Sequence, residues 1–457
     1  MLVPPTTNGY LIEKYDRPVP RYTSYPTVPY WQKTPPTQGE WLAAVNQRME
    51  ESQDISLYIH LPFCEKLCTY CGCNKRITIN HGVEAPYVNA VLAEWKLYVE
   101  AMNHRPRIKE LHLGGGTPTF FSPEELGRLI DGIFVHADRA DKFDYSFEAH
   151  PSSTSREHLQ ALADRGFDRL SIGVQDFNQA ILQLINRDQT HQQVLDTADY
   201  ARATGYKSVN FDIIYGLPTQ TREDIINTVQ RIDELRPERI AFYSYAHVPW
   251  VSPGQRAYDE TDLPRGLEKR ALYELGKEML TDIGYQDIGL DHFALPEDDL
   301  YQASEAGELH RNFMGYTALP TKMTIALGCS SIGDSWDMYV QNEKKVEDYQ
   351  KAVFVEKRLP IIKGHQLTEE DQVVRQHILN LMCQHATEWR AEHLRASALE
   401  RAVPLWNDMA ADGLLRRSPY RIEVREEGMP FLRNICLPLD DYFWNRRPEA
   451  PTFSQSV

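Results

Sequence analysis

Cys64, Cys68, Cys71 and Cys73 fall within ten residues of each other, in the run Leu61-Pro62-Phe63-Cys64-Glu65-Lys66-Leu67-Cys68-Thr69-Tyr70-Cys71-Gly72-Cys73. Thiolates crowded into one loop are soft ligands that select zinc, copper(I) or iron-sulfur clusters. The C-x3-C-x2-C spacing of the first three lets them converge from a tight turn. Three ligands on a four-iron cluster leave one iron open to substrate or cofactor. A structural zinc site wants four closed ligands, and Cys73 could supply the fourth, so spacing alone leaves both readings open. Paired disulfides fit poorly with an odd total of seven cysteines.

A second chemical feature is Leu113-Gly114-Gly115-Gly116-Thr117-Pro118-Thr119. Successive glycines allow unusual dihedrals and close backbone approach to a ligand, and the Thr117 hydroxyl adds a polar contact. Asp291-His292 has the form of an acid-base dyad, but an isolated histidine is more simply a hydrogen-bonded structural residue. Neither His292 nor His310 is counted as catalytic. Cys329, Cys383 and Cys436 sit in apolar or small-residue surroundings and are expected to be buried, inert thiols.

The elements that must position these groups read as an alternation. Strands are expected at Ile55 to His60, Ile108 to Leu113, Tyr145 to His150, Arg169 to Val174, Ser208 to Ile214, Ile240 to Tyr245 and Asp287 to Leu290. Amphipathic helices fall between them, such as Ala85 to Met102 and Arg222 to Leu235. Repeated βα order predicts parallel strands with right-handed crossovers, hence a barrel or open α/β sheet with its site at the strand C-terminal ends. Beyond about Pro360 the pattern becomes helical, with a hairpin over Leu414 to Val424 turning at Ser418-Pro419-Tyr420. Helices followed by a small wing resemble a winged-helix module, read here as packing on the barrel rather than binding DNA.

The chain has 457 residues, with 49 Lys plus Arg against 65 Asp plus Glu, a formal charge of −16. Such a surface repels nucleic-acid phosphates and anionic lipid at long range. No apolar run is long enough to span a bilayer, and the first thirty residues lack a signal-peptide pattern, so a cytoplasmic location is expected.

These features together resemble the radical S-adenosylmethionine superfamily and, within it, the bacterial oxygen-independent coproporphyrinogen III oxidases. The resemblance runs nearly end to end. It takes in Pro20-Arg21-Tyr22-Thr23-Ser24-Tyr25-Pro26, Cys71-Gly72-Cys73-Asn74-Lys75, Gly173-Val174-Gln175-Asp176-Phe177-Asn178, Asp212-Ile213-Ile214-Tyr215-Gly216-Leu217-Pro218, His310-Arg311-Asn312-Phe313 and Arg433-Asn434-Ile435-Cys436.

Carried over residue by residue, the resemblance makes Cys64, Cys68 and Cys71 the ligands of one 4Fe-4S cluster and leaves Cys73 beside them. It implies two S-adenosylmethionine molecules, one near Tyr58, Gly115, Glu148 and Ile332. The other would lie near Tyr70, Gly116, Thr117, Gln175, Arg187, Asp212 and Ala246. Without the family, Gln175 would be a strand-end polar group, Arg187 a surface ion pair and Asp212 a helix cap. Glu148-Ala149-His150-Pro151-Ser152 departs from the Glu-Val-Asp-Pro-Arg of many members, which puts any role of the neighbouring charges in doubt.

The implied architecture is a partial (βα)6-type barrel at 51–340, an N-terminal extension over the active-site mouth at 1–50, and a mostly helical, winged-helix-like C-terminal domain at 341–457. The implied reaction is oxidative decarboxylation of two propionates of coproporphyrinogen III to vinyl groups, giving protoporphyrinogen IX in haem biosynthesis. A 5′-deoxyadenosyl radical would start it, with electrons from a flavodoxin- or ferredoxin-like donor, in a monomer that binds no nucleic acid. A related radical enzyme on another substrate and a haem-binding chaperone of the same superfamily are the competing readings. Chaperone relatives usually lack the Cys-Gly-Cys extension and the Arg-Tyr-Thr-Ser-Tyr-Pro segment, and both are present here. Since the substrate carries four carboxylates, an acidic protein must gather basic residues locally, and Arg21, Lys66, Lys75, Arg76 and Arg311 are the candidates.

Overall fold

The computed structural model describes residues 9–250, 252–446 and 452–456. Six strands follow the expected rhythm: β1 (Asp54–Leu61), β2 (Arg107–Gly115), β3 (Asp138–Ala149), β4 (Arg169–Gln175), β5 (Ser208–Tyr215) and β6 (Arg239–Ser244). Each pairs in parallel with the next. Helices such as Glu84–Ala101, Pro123–Phe134 and Arg222–Leu235 occupy the crossovers.

The strand sequences explain why the sheet curls around a polar lumen. Outward positions are apolar and fully buried, as with Ile55, Leu57, Ile59 and Leu61 of β1 or Val209, Phe211 and Ile213 of β5. The alternate positions face a cavity of about 120 Å³ lined by His112, Ser146, Glu148, Ser171, Asn210 and Asp212, among others. Period-two alternation therefore separates a dry helix-facing side from a wet interior.

Two features lie outside the expected rhythm. Thr324–Leu327 adds a further parallel strand to the free edge of β1, and Ile332–Asp334, Met338–Asn342 and Ile361–Gln366 continue from it antiparallel. At the other edge, Gln286–Gly289 reaches the sheet only through His292–Ala294, which pairs antiparallel with β6. The expected seventh strand thus runs in the direction of the other six but joins them through an antiparallel strand and not by parallel pairing. The resulting 12-stranded sheet is open rather than closed. Residue 341 falls inside Met338–Asn342, and sheet and core run on beyond it, with Tyr349 and Val353 buried in the barrel core.

The remaining chain forms helices Glu369–Gln384 and Ala398–Ala411 and a three-stranded sheet that contains the expected hairpin as Leu415–Ser418 and Arg421–Val424. Leu11, Tyr15 and Tyr22 of the N-terminal segment share a second core with Ile378, Leu381 and Trp406 of this region. One buried ion pair ties it to the sheet. Arg375 donates from Nη1 to Asp334 Oδ1 at 3.0 Å and from Nη2 to Oδ2 at 2.5 Å. Truncating one partner of a buried pair strands the other charge, so Arg375→Ala is expected to cost about 3–5 kcal/mol. A lowered urea midpoint followed by tryptophan fluorescence is the readout, and an unshifted midpoint would contradict this role.

Candidate active site

The cysteine loop leaves the C-terminal end of β1, and short parallel pairing of Phe63 with Arg76 and of Cys64 with Ile77 ties its two ends together. Next to it, the end of β2 closes on the loop backbone. Gly116 N–H donates to Leu61 O at 2.8 Å, and Thr117 N–H donates to Phe63 O at 2.9 Å. The glycines are needed for that approach: a Cβ on Gly116 would lie 2.6 Å from the Pro62 carbonyl carbon, and one on Gly115, whose φ is +116°, 2.6 Å from the His60 ring. The glycine run therefore lets two strand ends meet.

The three thiols lie on this loop, free of disulfides and part-buried, while Cys73 is exposed. Thr117 Oγ1 donates to Cys64 Sγ at 3.4 Å, and Arg187 Nη1 donates to Cys68 Sγ at 3.6 Å. Burial pushes the Cys64 thiol up to about 11, with the Thr117 hydrogen bond opposing it. Hydrogen bonding from the Cys73 thiol draws the Cys71 thiol below its ordinary value, and Lys75 acts in the same sense. Lys75 Nζ also donates to the Cys71 carbonyl at 3.0 Å.

Loops after β4 and β6 hold the far side of the cysteine loop. Asn186 Nδ2 donates to Leu67 O at 2.6 Å, while Gln255 Nε2 bridges Tyr70 O at 2.9 Å and Ala246 O at 3.1 Å. Arg187 is 7% exposed and forms no surface ion pair. Its Nε donates to Gln189 Oε1 at 2.8 Å, Nη1 to the Tyr70 hydroxyl at 3.3 Å, and Nη2 to the Gly173 carbonyl. Gln175 stands at the end of β4 with φ +67°, and a Cβ on Gly173 would come within 2.8 Å of its Nε2. Tyr70, Gln175, Arg187 and the Ala246 carbonyl thus converge around the loop.

Glu148 and Asp212 lie inside the lumen. Gly115 N–H donates to Glu148 Oε2 at 3.1 Å, and His112 stands 3.6 Å from Oε1. Burial pushes Glu148 up, but the hydrogen bond and charge of His112 with the Gly115 N–H outweigh it and leave the carboxyl below its ordinary value. Asp212 shows the opposite balance: burial, then the charge of Glu148, raises it to about 6 despite donation from Ser171 and Asn210. It is a lumen carboxylate, not a helix cap.

Tyr58 stacks on His112 with ring centroids 6.0 Å apart and reaches His60 Nδ1 at 3.0 Å. Because His60 Nε2 meets the Asn74 carbonyl at 2.9 Å, Nε2 carries the proton and Nδ1 accepts from Tyr58. Ile332 stands beyond Ala326, two strands from Tyr58. It packs at the Trp31, Tyr339 and Leu367 cluster, and extending the register Thr324↔Asp334 sets it level with Ala326, the neighbour of Tyr58.

Sequence reading did not single out His60, His112, Gln189 or Gln255. A signal existed for His112: Glu110-His112, Ser146-Glu148 and Asn210-Asp212 repeat polar pairs two residues apart on three of the parallel strands. Among the basic candidates, Lys66 pairs with Asp188 at 2.6 Å and Arg76 with Glu347, both exposed. Arg311 holds backbone carbonyls. Of the five, only Arg21 lines the cavity between the barrel and the terminal segments. His150 caps its own turn, accepting from Ser152 N at 3.2 Å, so the departure at 148–152 is accommodated locally.

An open parallel half-barrel with three unpaired cysteines on the loop after its first strand defines a protein of the radical S-adenosylmethionine class, and the family model described as the Radical SAM superfamily matches residues 58–232. The oxygen-independent coproporphyrinogen III oxidase of Pseudomonas aeruginosa is 36% identical over 94% of this chain and 95% of its own length. The protein of that name in Escherichia coli is 36% identical over 98% of each chain. The solved structure of the Escherichia coli coproporphyrinogen III oxidase, described as a radical SAM enzyme, matches with a TM-score of 0.88 and 34% identity over 96% of this chain and 100% of that one. The chain belongs to the oxygen-independent coproporphyrinogen III oxidases.

The glycine contacts give a direct test of the loop. Gly116→Ala is expected to displace the Pro62–Cys64 backbone and cut iron bound per chain by more than half, whereas Gly72→Ala, with nothing within 4 Å of the added carbon, leaves it intact. Equal iron in both variants would show that this packing does not shape the site.

Proposed function

We propose that Cys64, Cys68 and Cys71 ligate one 4Fe-4S cluster, and that this site converts two propionates of coproporphyrinogen III to vinyl groups, giving protoporphyrinogen IX. The observation that carries the reading is that Cys64, Cys68 and Cys71 are unpaired, part-buried thiols on one loop, two of them receiving side-chain donors from the segments that follow β2 and β4. Among the described residues, no three His, Cys, Asp or Glu side chains converge tightly enough for a single metal ion. Thiols spread around a loop suit separate irons of a cluster better than one tetrahedral zinc.

Bound together, the cluster and S-adenosylmethionine would supply an electron and a 5′-deoxyadenosyl radical able to take hydrogen from a propionate β-carbon, after which the substrate radical loses carbon dioxide and passes one electron to an acceptor to give the vinyl group. The chain's own residues do the rest. Glu148, held anionic by His112 and Gly115, is suited to accept from an ammonium or ribose hydroxyl of a first S-adenosylmethionine beside Tyr58, with Ile332 at its edge. Arg187 presents a guanidinium for the carboxylate of a second, flanked by Tyr70, Gly116, Thr117, Gln175, Asp212 and Ala246. Burial of Cys64 keeps its thiol protonated at neutral pH, so cluster loading must draw off that proton.

The exposed Cys73 and the 37% exposed Leu67 bring the cluster loop to the surface, where a reduced flavodoxin or ferredoxin could deliver electrons. Among the described residues, no helix is long and apolar enough to cross a membrane. The acidic composition fits a cytoplasmic enzyme that does not bind nucleic acid.

Anaerobic incubation of cluster-loaded protein with reductant, S-adenosylmethionine and coproporphyrinogen III is expected to yield divinyl product. No product despite an intact cluster would reject the oxidase reading. Cys64→Ala should abolish both the iron-sulfur absorbance and the product, and retained absorbance would refute that ligand.

A further inference from the structure

Charge holds the N-terminal segment against the barrel. Arg433 donates from Nε to the Pro20 carbonyl at 3.1 Å and from Nη2 to the Val19 carbonyl. Arg311 donates from Nη1 to the carbonyls of Arg21 and Tyr22, each at 3.0 Å, while its Nε is buried with no partner. Both guanidiniums spend donors on backbone, and the side chain they deliver between them is Arg21.

Arg21 stands where two cavities meet. Its guanidinium carbon lies 5.9 Å from the centre of the Tyr243 ring, and Tyr243 lines the lumen that holds Glu148 and Asp212. On its other side, Arg21 lines a cavity of about 250 Å³ together with Tyr215, Ser244, Leu290 and Arg433. Its side chain is 36% exposed, and Asp291 engages one terminal nitrogen, Nη2, of a group with five N–H donors.

The local charge balance favours one more anion. Burial, then repulsion from Arg21, pushes Arg433 down to about 9, so two guanidiniums compete for the field of Asp291. The other cations of the cavity wall are already matched, Lys277 by Asp287 at 2.6 Å and Arg270 by Glu274, and Glu426 and Glu427 add negative charge to the lining. Arg21 and Arg433 share the single carboxylate of Asp291, so the unmatched positive charge of this cavity wall lies with them.

We propose that Arg21, positioned by Arg311 and backed by Arg433, is a binding subsite for a propionate carboxylate of the substrate. The inference rests on the oxidase reading above and adds to it the group that orients the porphyrinogen at the mouth of the lumen. A guanidinium fork takes a carboxylate in two parallel hydrogen bonds and so fixes orientation as well as position.

The test is equilibrium binding of coproporphyrin III, a stable tetracarboxylate, to cluster-loaded protein without reductant, with its tetramethyl ester as the uncharged probe. Arg21→Gln is expected to weaken coproporphyrin III by about tenfold or more and to leave the ester unchanged. Asp291→Asn removes the competing carboxylate and is expected to tighten coproporphyrin III by about threefold. Arg21→Lys, which keeps the charge without the fork, should fall between wild type and Arg21→Gln, and it carries the comparison if the Gln variant does not fold. Equal weakening by Arg21→Gln and Asp291→Asn would mark a purely structural ion pair and overturn the proposal, as would equal loss of ester and acid. If the wild type turns over coproporphyrinogen III while Arg21→Gln binds normally, this inference alone falls. If the wild type neither binds the porphyrin nor makes vinyl product, the oxidase reading falls instead.

Discussion

The arrangement depends on a short meeting of backbones, the donation from Gly116 and Thr117 to the carbonyls of Leu61 and Phe63. A parallel strand normally hands over to its crossover helix at this point. Here β1 instead releases a loop of about a dozen residues carrying the thiols, and a loop of that length has no geometry of its own. It acquires one by contact. The end of β2 fixes its start, Asn186 and Arg187 after β4 fix its middle, and Gln255 after β6 fixes the carbonyl of Tyr70. Neighbouring strands thus act through their ends on one loop, as expected where function collects at the C-terminal rim of parallel strands.

Electrostatics divides the same rim. The lumen holds two carboxyl groups whose surroundings drive them apart: His112 and the Gly115 N–H keep Glu148 low, while burial and the charge of Glu148 raise Asp212. Two acids tuned in opposite directions offer one firm anion and one group that takes up a proton below neutrality, around pH 6. Cations are placed differently. Arg187 is committed inside the rim, and Arg21 arrives from outside, carried by a segment that Arg311 and Arg433 grip through its carbonyls. The protein as a whole is strongly acidic, so these guanidiniums are positive points in a negative field.

Legibility from sequence followed the physics of each residue. The cysteine spacing and the glycine run were readable because few other residue patterns serve that chemistry at that distance. The βα rhythm was readable because apolar strands such as Leu57-Tyr58-Ile59 alternate with long amphipathic stretches. Thr324–Leu327 was not, since four residues buried on every side carry no period. The contacts of Gly115 with the His60 ring and of Gly116 with the Pro62 backbone were not legible either, since nothing local links residues that far apart in sequence. Arg433 and Val19 are 414 residues apart in sequence and touch only once the terminal segments share a core. The resemblance supplied Ile332, which no local pattern distinguishes from an ordinary strand residue.

The geometry of this rim serves to direct a radical at the β-carbon of a substrate propionate. Coproporphyrinogen III deuterated at those β-carbons tests it most directly, with 5′-deoxyadenosine from anaerobic turnover analysed by mass spectrometry. The expected result is 5′-deoxyadenosine one mass unit heavier than from unlabelled substrate, formed along with the vinyl product. Vinyl product accompanied by unlabelled 5′-deoxyadenosine would contradict it.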